Sequence, residues 1–548
     1  MKRGIIILVL MLAVFSLAAC RRGDDNQVEP MDIVIGDETL GIPRDTEGEL
    51  TLFIWGGSSQ LLRDVGRVYI AAEDLTGQYD AFIAATARAF NQIFPNIIIN
   101  VYGRADGPYS HGIGWLQYRE NFTLEHGAPD IFAITNLTDD IRRGMVADLT
   151  VFEDDPRFQV FNPGIMDMLN IGGRQFGIPL GAIPHGVFIN RTLAEANNID
   201  IPSPQWTIDE YIRFISHSSP NEFYGAMGIP YTLINSGTRD FYYQLANRGP
   251  NDPFVTINSQ ASRNLIARMP ALIDHTLWPQ NALGNVSAEF LNEHWWWGYR
   301  FFQMGRLLTH ELEPWHLNDL GHEDPDWWGR AIMDDWDVFP RPSTPYMGNH
   351  LHMMLDFWGI RNIAMDDGNP ILNEEEYNQL AIAWEFLVFM TGDTRAWEAR
   401  AHQLFNSGGV MSHVVDNSLP MVLGGAFEEQ MDLWFQSGRE RFRDPNAMPG
   451  FHYVLELWQQ GAFSSIQTRT IPWNHEFEGT VRNIAHEWTN MGSYAVTGAS
   501  DLDHNWIDML FARLPDWERS INERWAEEWA RVYEAIERFY PEQVRGGR

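Results

Sequence analysis

The sequence predicts an α/β protein built of more than one domain. At 548 residues the chain exceeds what a single hydrophobic core holds. From Leu50 onward, short apolar runs alternate with stretches of helical spacing, the pattern of βαβ units whose parallel sheet is flanked by helices. Apolar residues make up 45% of the chain, with 32 Phe and 22 Trp, which excludes general disorder.

The chain opens on a charged Met1-Lys2-Arg3, an apolar run from Ile5 to Leu17, and Ala18-Ala19-Cys20. This resembles the bacterial lipobox, in which the leader (1–19) is removed and Cys20 is acylated, by chains such as palmitate. Cys20 is the only cysteine, which favours this reading over a plain signal peptide. The apolar run falls short of the ~20 residues of a membrane span. With one cysteine no internal disulfide can form, so stability must come from a large core. Residues 20–48 are rich in Asp, Gly, Pro, Asn and Glu and read as a lipid-anchored linker.

Leu50 to Trp55 (LTLFIW) reads as a buried strand, Ser58 to Gln78 as a partly helical insertion, and Tyr79 to Phe94 as a helix stopped by Pro95. Ile97 to Tyr102 is the next strand, Trp115 to His126 a helix, Ile131 to Ile134 a strand and Ile141 to Val146 a helix. Gly172-Gly173 predicts a tight turn before a strand from Gln175 to Pro179. An extended run at Val187 to Asn190 and a short helix at Thr192 to Asn197 follow. Thr207 and Glu210 have capping-box spacing for a further helix. Strand candidates lie at Tyr224 to Pro230 and Asp337 to Pro340, with two extended pieces between Gly348 and Ile360. Glu374 to Met390 carries an amphipathic stripe, and Trp525, Trp529, Val532, Ile536 and Phe539 recur at helical spacing, read as a helix packed on a lobe.

Several of these steps resemble bacterial extracellular solute-binding proteins of the sugar-binding class (family 1, like the maltose-binding proteins). They are the turn at Gly172, Ile178-Pro179, Ile189 to Leu193, Gln205-Trp206-Thr207, Pro129-Asp130-Ile131, the Phe302-x-x-Gly305-Arg306 to Pro314-Trp315 element, Ala383 to Leu387, and Val496 to Trp506. The last segment is similar to longer members that bind oligosaccharides. Arg306 stands where that family has Lys. The resemblance implies a periplasmic-binding-protein-like α/β fold, two α/β lobes with a hinge and an interlobe cleft. It places the N-terminal lobe at 49–181 and 341–392, the C-terminal lobe at 182–340 and 393–504, and a C-terminal helical extension at 505–548.

The same resemblance implies a substrate-binding lipoprotein of an ABC importer, with no catalysis and no cofactor. A carbohydrate would bridge the lobes through ring stacking and hydrogen bonds, and the closed form would dock on membrane permease subunits. Ligand contacts are expected from Trp55, Thr135, Asn136, His185, Tyr231, Trp315, Asn349, His350 and Trp473. Trp315 is the most specific of these, because the family often stacks sugar on the Trp at its place. The expected partners are the sugar, the permease and the lipid membrane through acylated Cys20, with the protein itself a monomer.

Formal charge is −34, and −36 once Lys2 and Arg3 leave with the leader, so phosphate-backbone contacts and hence nucleic acid are excluded as partner chemistry. Lys2 is the sole lysine, which removes Schiff-base and phosphate-loop chemistry from the mature chain. His486-Glu487 begins a zinc-protease motif, but Asn490 occupies the position of its second His. His350 and His352 lack a third ligand, and Asp366-Asp367-Gly368-Asn369 lacks the terminal Glu of a calcium loop. No nucleophile elbow is present. Two further classes stay open: a surface-anchored glycoside hydrolase using two cleft carboxylates, and an adhesin or receptor without a permease. Peptide remains an alternative guest.

Overall fold

A computed structural model describes residues 41–55, 60–104, 115–219, 222–227, 253, 258–268, 271–272, 275–277, 299–311, 335–344, 348–366, 368–407, 409–414, 418–436, 440–463 and 506–541. The leader with Cys20, and Tyr231, Trp315 and Trp473, lie outside them.

The first sheet grows around β1 (Gly48–Trp55), whose Leu50, Leu52, Phe53 and Ile54 are all buried, as a central parallel strand requires. After β2 (Leu61–Leu62), α1 (Gln78–Asn91) covers the sheet with Phe82, Ile83, Ala87 and Phe90. The chain returns as β3 (Ile97–Arg104), parallel to β1, then passes through α2 (Trp115–His126) to β4 (Ile131–Ala133) on the other side of β1. Asp130, from the Pro-Asp-Ile step, pins this arrangement: its carboxylate accepts from the backbone N–H of Thr51 at 2.8 Å and pairs with Arg361 at 3.5 Å. Among its described residues, the stretch expected to be partly helical, 58–78, holds β2, a 3₁₀ turn at Ala72–Asp74 and the first residue of α1. Gly66 lies so close to α1 that a Cβ there would stand 1.9 Å from the Asn91 side chain, which draws this segment flat against the helix.

α3 (Leu137–Arg142) starts four residues before the expected helix, because Asn136 caps it by accepting from the Asp139 N–H. Gly144 at φ +66° then ends it. The hairpin β5 (Asn170–Ile171) and β6 (Arg174–Gln175) turns on Gly172 and Gly173, both at positive φ, as the sequence predicts. β7 (Ile178–His185) belongs wholly to the first sheet, so the chain leaves that sheet four residues beyond the expected boundary at 181.

β8 (Val187–Asn190) is the centre of a second sheet and leads through α4 (Arg191–Ala196) to α5 (Ile208–Ile215). The Thr207–Glu210 capping box forms as read from the sequence. β9 (Ala226–Met227), α6 (Gln260–Ile266) and β10 (Thr276–Leu277) extend this lobe; β9 and β10 pair in parallel, and Arg268 at the end of α6 meets Asp209 of α5 at 2.5 Å. β11 (Thr309–His310) and β12 (Trp336–Phe339) flank β8 antiparallel.

β13 (His352–Ile360) carries the chain back into the first sheet, giving the order β2-β3-β1-β4-β13-β7. It is one strand with a register shift at Asp356/Phe357 rather than two pieces. α7 (Glu374–Gly392), capped by Asn373 and Glu376, buries Trp384, Phe386, Leu387 and Met390 against the first sheet. Its Glu385 forms a buried pair with Arg157 at 2.6 Å and accepts from the Gly41 N–H at 2.9 Å, so the end of the linker is clamped to the first lobe. α8 (Thr394–Ala401), expected in the second lobe, packs on α1 of the first, with the Arg400 guanidinium 4.3 Å from the Phe82 ring centre.

The hairpin β14 (Leu404–Ser407) and β15 (Val410–His413) follows. α9 (Gly425–Gln436) and α10 (Pro449–Gln459) build the second lobe's aromatic core, where Trp434 stacks on Phe451 at 5.6 Å and Phe442 lies edge-on to Trp336 at 5.5 Å. α11 (Trp506–Phe539) runs unbroken through Pro515.

Candidate functional site

The topology places the site. β1 is flanked by β3 on one side and β4 on the other, so the crossover from β1 to β3 and the one from β3 back past β1 to β4 run in opposite directions. In an α/β sheet the crevice at such a switch point lies outside the carboxyl ends of the strands. Trp55 ends β1 level with Arg104 at the end of β3, and Thr135 and Asn136 follow β4 on the same edge. These are three of the expected ligand residues, and the fold brings them to one edge.

β7 and β13 run past that edge. Trp358 of β13 is opposite Ala133, the last residue of β4, while His352 to Asp356 pair on with His185 to Gly181 beyond it. This two-stranded antiparallel ribbon joins the lobes, and β8 begins directly after it, Val187 opposite Phe339. The candidate cleft thus has the first sheet's carboxyl edge as one wall, the ribbon at its back, and the near end of the second sheet as the other wall. His185 is the last residue of β7, opposite His352.

Sequence reasoning missed the polar cluster at that second wall. Glu311 follows β11 and Arg341 follows β12, one on each side of β8; their side chains meet at 2.7 Å, Arg341 buried and Glu311 nearly so. The Tyr211 hydroxyl donates to Glu311 at 3.3 Å. Trp206, fully buried, donates its indole N–H to the Pro340 carbonyl at 2.9 Å and lies edge-on to Tyr211 and Phe339. The only sequence signal was an Arg between Pro340 and Pro342, just after a strand.

Asn349 and His350 face inward. The Asn349 amide donates to the carbonyls of Trp206 at 2.8 Å and Arg341 at 3.2 Å, and its oxygen accepts from the Tyr453 hydroxyl at 3.4 Å. His350 sets Nδ1 3.0 Å from the Gly348 carbonyl oxygen, and burial, with Arg341 nearby, pushes its pKa down to about 4. Asp337 of β12 accepts from the N–H groups of Gly450 (2.7 Å) and Phe451 (3.1 Å), capping α10, while burial pushes its carboxyl up to about 6. Thr135 is half-buried at the first wall, and Asn136 is spent as the α3 cap.

Among the described residues no three His, Cys, Asp or Glu side chains are grouped to hold a metal, and no helix is long and apolar enough to cross a membrane.

No protein-family model matches the chain, and no curated protein matches it in sequence. Solved structures do. An ABC substrate-binding protein from Listeria monocytogenes in complex with cycloalternan has a TM-score of 0.54 at 13% identity, over 88% of this chain and 100% of that one. A cyclic alpha-maltosyl-1,6-maltose binding protein from Arthrobacter globiformis has a TM-score of 0.53 at 15% identity, over 87% and 100%. A family 1 extracellular solute-binding protein from Bifidobacterium longum subsp. infantis has a TM-score of 0.50 at 16% identity, over 88% and 99%. The chain has the two-lobed solute-binding-protein fold. At these identities the likeness establishes that fold, and the two-sheet, ribbon-linked architecture is this chain's version of it.

Proposed function

We propose that this protein is the extracytoplasmic substrate-binding component of an ABC importer, that it takes an oligosaccharide between its lobes, and that it hands it to a membrane permease. The observation that carries the reading is the ribbon of β7 and β13, which sets the switch-point edge of one sheet against the near end of another and allows hinge closure on a guest. Structures of the same fold include proteins named for binding cyclic and linear gluco-oligosaccharides, which supports a sugar as the guest.

Trp55, Thr135, His185, Tyr231, Trp315 and Trp473 are the proposed ligand contacts. Asn136, Asn349 and His350 are proposed as wall residues, since the Asn136 oxygen, the Asn349 amide N–H groups and His350 Nδ1 are engaged with backbone. The reading includes acylation of Cys20, with 20–48 as tether, and a monomeric, non-catalytic protein. A thermal-shift screen of the chain against mono- and oligosaccharides and peptides tests it, with chromatography of the incubated sugars. The expected result is a concentration-dependent rise in Tm with an oligosaccharide that is recovered uncut. Stabilisation by peptides alone would overturn the guest, and cleavage products would make the protein a hydrolase.

A further inference from the structure

α11 touches both lobes. Its 34 residues span about 50 Å at the usual rise of about 1.5 Å per residue. The C-terminal half lies on the first lobe: Glu528, nearly fully buried, pairs with Arg142 of α3 at 3.1 Å, Tyr540 just past the helix meets the Phe176 ring edge-on at 5.0 Å, and Ile536 covers Gly172. The N-terminal part reaches α6 of the second lobe. There Glu518 accepts from the Asn258 backbone N–H at 2.7 Å, and the Arg263 guanidinium sits 4.9 Å from the Phe511 ring centre while donating to the Phe511 carbonyl at 3.0 Å.

Pro515 explains that last bond. A proline has no N–H, so the carbonyl four residues earlier loses its helical donor. Four residues before Pro515 is Phe511, and Arg263 of the other lobe supplies the missing donor. A residue that weakens a free helix thus creates its attachment point.

We propose that α11 is an interlobe strap that restrains the hinge, anchored on the first lobe through Glu528 and Tyr540 and on the second through the Pro515-freed carbonyl of Phe511, Arg263 and Glu518. A helix is stiff along its axis, so rotation about the β7/β13 ribbon cannot keep both anchors in place. Opening and closing therefore work against the second-lobe anchor, which is small and polar, rather than the first, where a buried ion pair is joined by the buried Ile536 and Tyr540. This rests on the hinge motion proposed above.

The test uses the full chain with Cys20→Ser, which leaves no other cysteine, and spin labels at Leu124→Cys on α2 and Glu195→Cys on α4, both exposed. Interlobe distances are read by pulsed electron resonance without ligand. Pro515→Ala restores the helical donor and removes the need for Arg263; Arg263→Ala with Glu518→Ala, which removes the acceptor of the Asn258 N–H, breaks the anchor from the other side. Both are expected to broaden the distance distribution by at least half, with Tm and helix content unchanged or, for Pro515→Ala, slightly raised. If neither broadens it, the strap is refuted; should the double variant fail to fold, Pro515→Ala alone decides. Because this reading needs no guest, it is separable from the function. Strap variants that broaden while the parent shows no shift with maltotetraose or any cyclic gluco-oligosaccharide would keep the strap and reject sugar binding.

Discussion

Arg341 and Glu311 meet at 2.7 Å from opposite sides of β8, directly where the chain crosses between the lobes. Removing the cation strands a carboxylate that is mostly withdrawn from water, so Arg341→Ala is expected to cost about 2–4 kcal/mol. The exposed pair Arg443–Asp432, at 3.1 Å, serves as control, since breaking a solvated pair costs about 0–1 kcal/mol. Urea denaturation of both variants checks the contrast, and equal losses would mean that Arg341 is not a buried staple.

His350 and Asp337 give opposite pH slopes. His350 is neutral in the folded protein down to about pH 4, whereas the unfolded chain takes up its proton near 6.5. Its presence therefore raises stability as pH climbs from about 4 to 6.5. Asp337, held near 6 against an ordinary 3.8, stays protonated longer when folded, so its contribution falls as pH climbs from 3.8 to about 6. Each shift amounts to roughly 3 kcal/mol at full extent. Measured against His350→Gln, the parent should gain stability over the first window; against Asp337→Asn it should lose stability over the second. Denaturation at pH 4, 5, 6 and 7 reads both, and a parent–variant difference flat with pH would contradict the burial of either group.

Asn136 separates capping from ligand contact. Asn136→Asp keeps an oxygen for the Asp139 N–H, so stability should hold within about 0.5 kcal/mol, whereas Asn136→Ala should lose about 1 kcal/mol. If Asn136→Asp weakens sugar binding tenfold or more at unchanged stability, the residue also contacts the guest, against its assignment here as a wall residue.

Gly186 sits between the ribbon and β8. A Cβ there would stand 2.3 Å from Val338 Cγ2 and 3.0 Å from the Phe339 carbonyl oxygen. Gly186→Ala should force β8 away from β12 and cost about 1–3 kcal/mol. Thermal unfolding checks it, and an unchanged Tm would show that the strand spacing at the crossing is slack.

Much of this architecture was legible because local rules and the fold agree. LTLFIW is apolar on both faces and became a central strand, Gly172-Gly173 took the positive φ the turn needs, and the Thr207–Glu210 box formed. Boundaries that depend on distant partners were not legible. The sequence cannot show that β7 continues to His185, because that length is set by pairing with β13 some 170 residues later. It cannot assign α8 to the first lobe, because the Arg400–Phe82 contact joins distant parts of the chain. The Arg341–Glu311 pair left no motif, since each half looks like an ordinary charged residue after a strand. Asn136, Asn349 and His350 line the candidate cleft's walls, but composition does not say whether an amide or imidazole faces a guest or the backbone. Tyr231, Trp315 and Trp473 lie outside the described residues, so stacking on a sugar ring rests on the proposal and its tests.

Closure itself is most directly read by small-angle X-ray scattering of the full chain with Cys20→Ser, alone and with saturating maltotetraose or a cyclic gluco-oligosaccharide. A smaller radius of gyration is expected with sugar, as hinge closure of two lobes requires, with full recovery when the sugar is dialysed away. An unchanged radius with every oligosaccharide, at concentrations that raise Tm, would mean that the lobes do not shut on their guest.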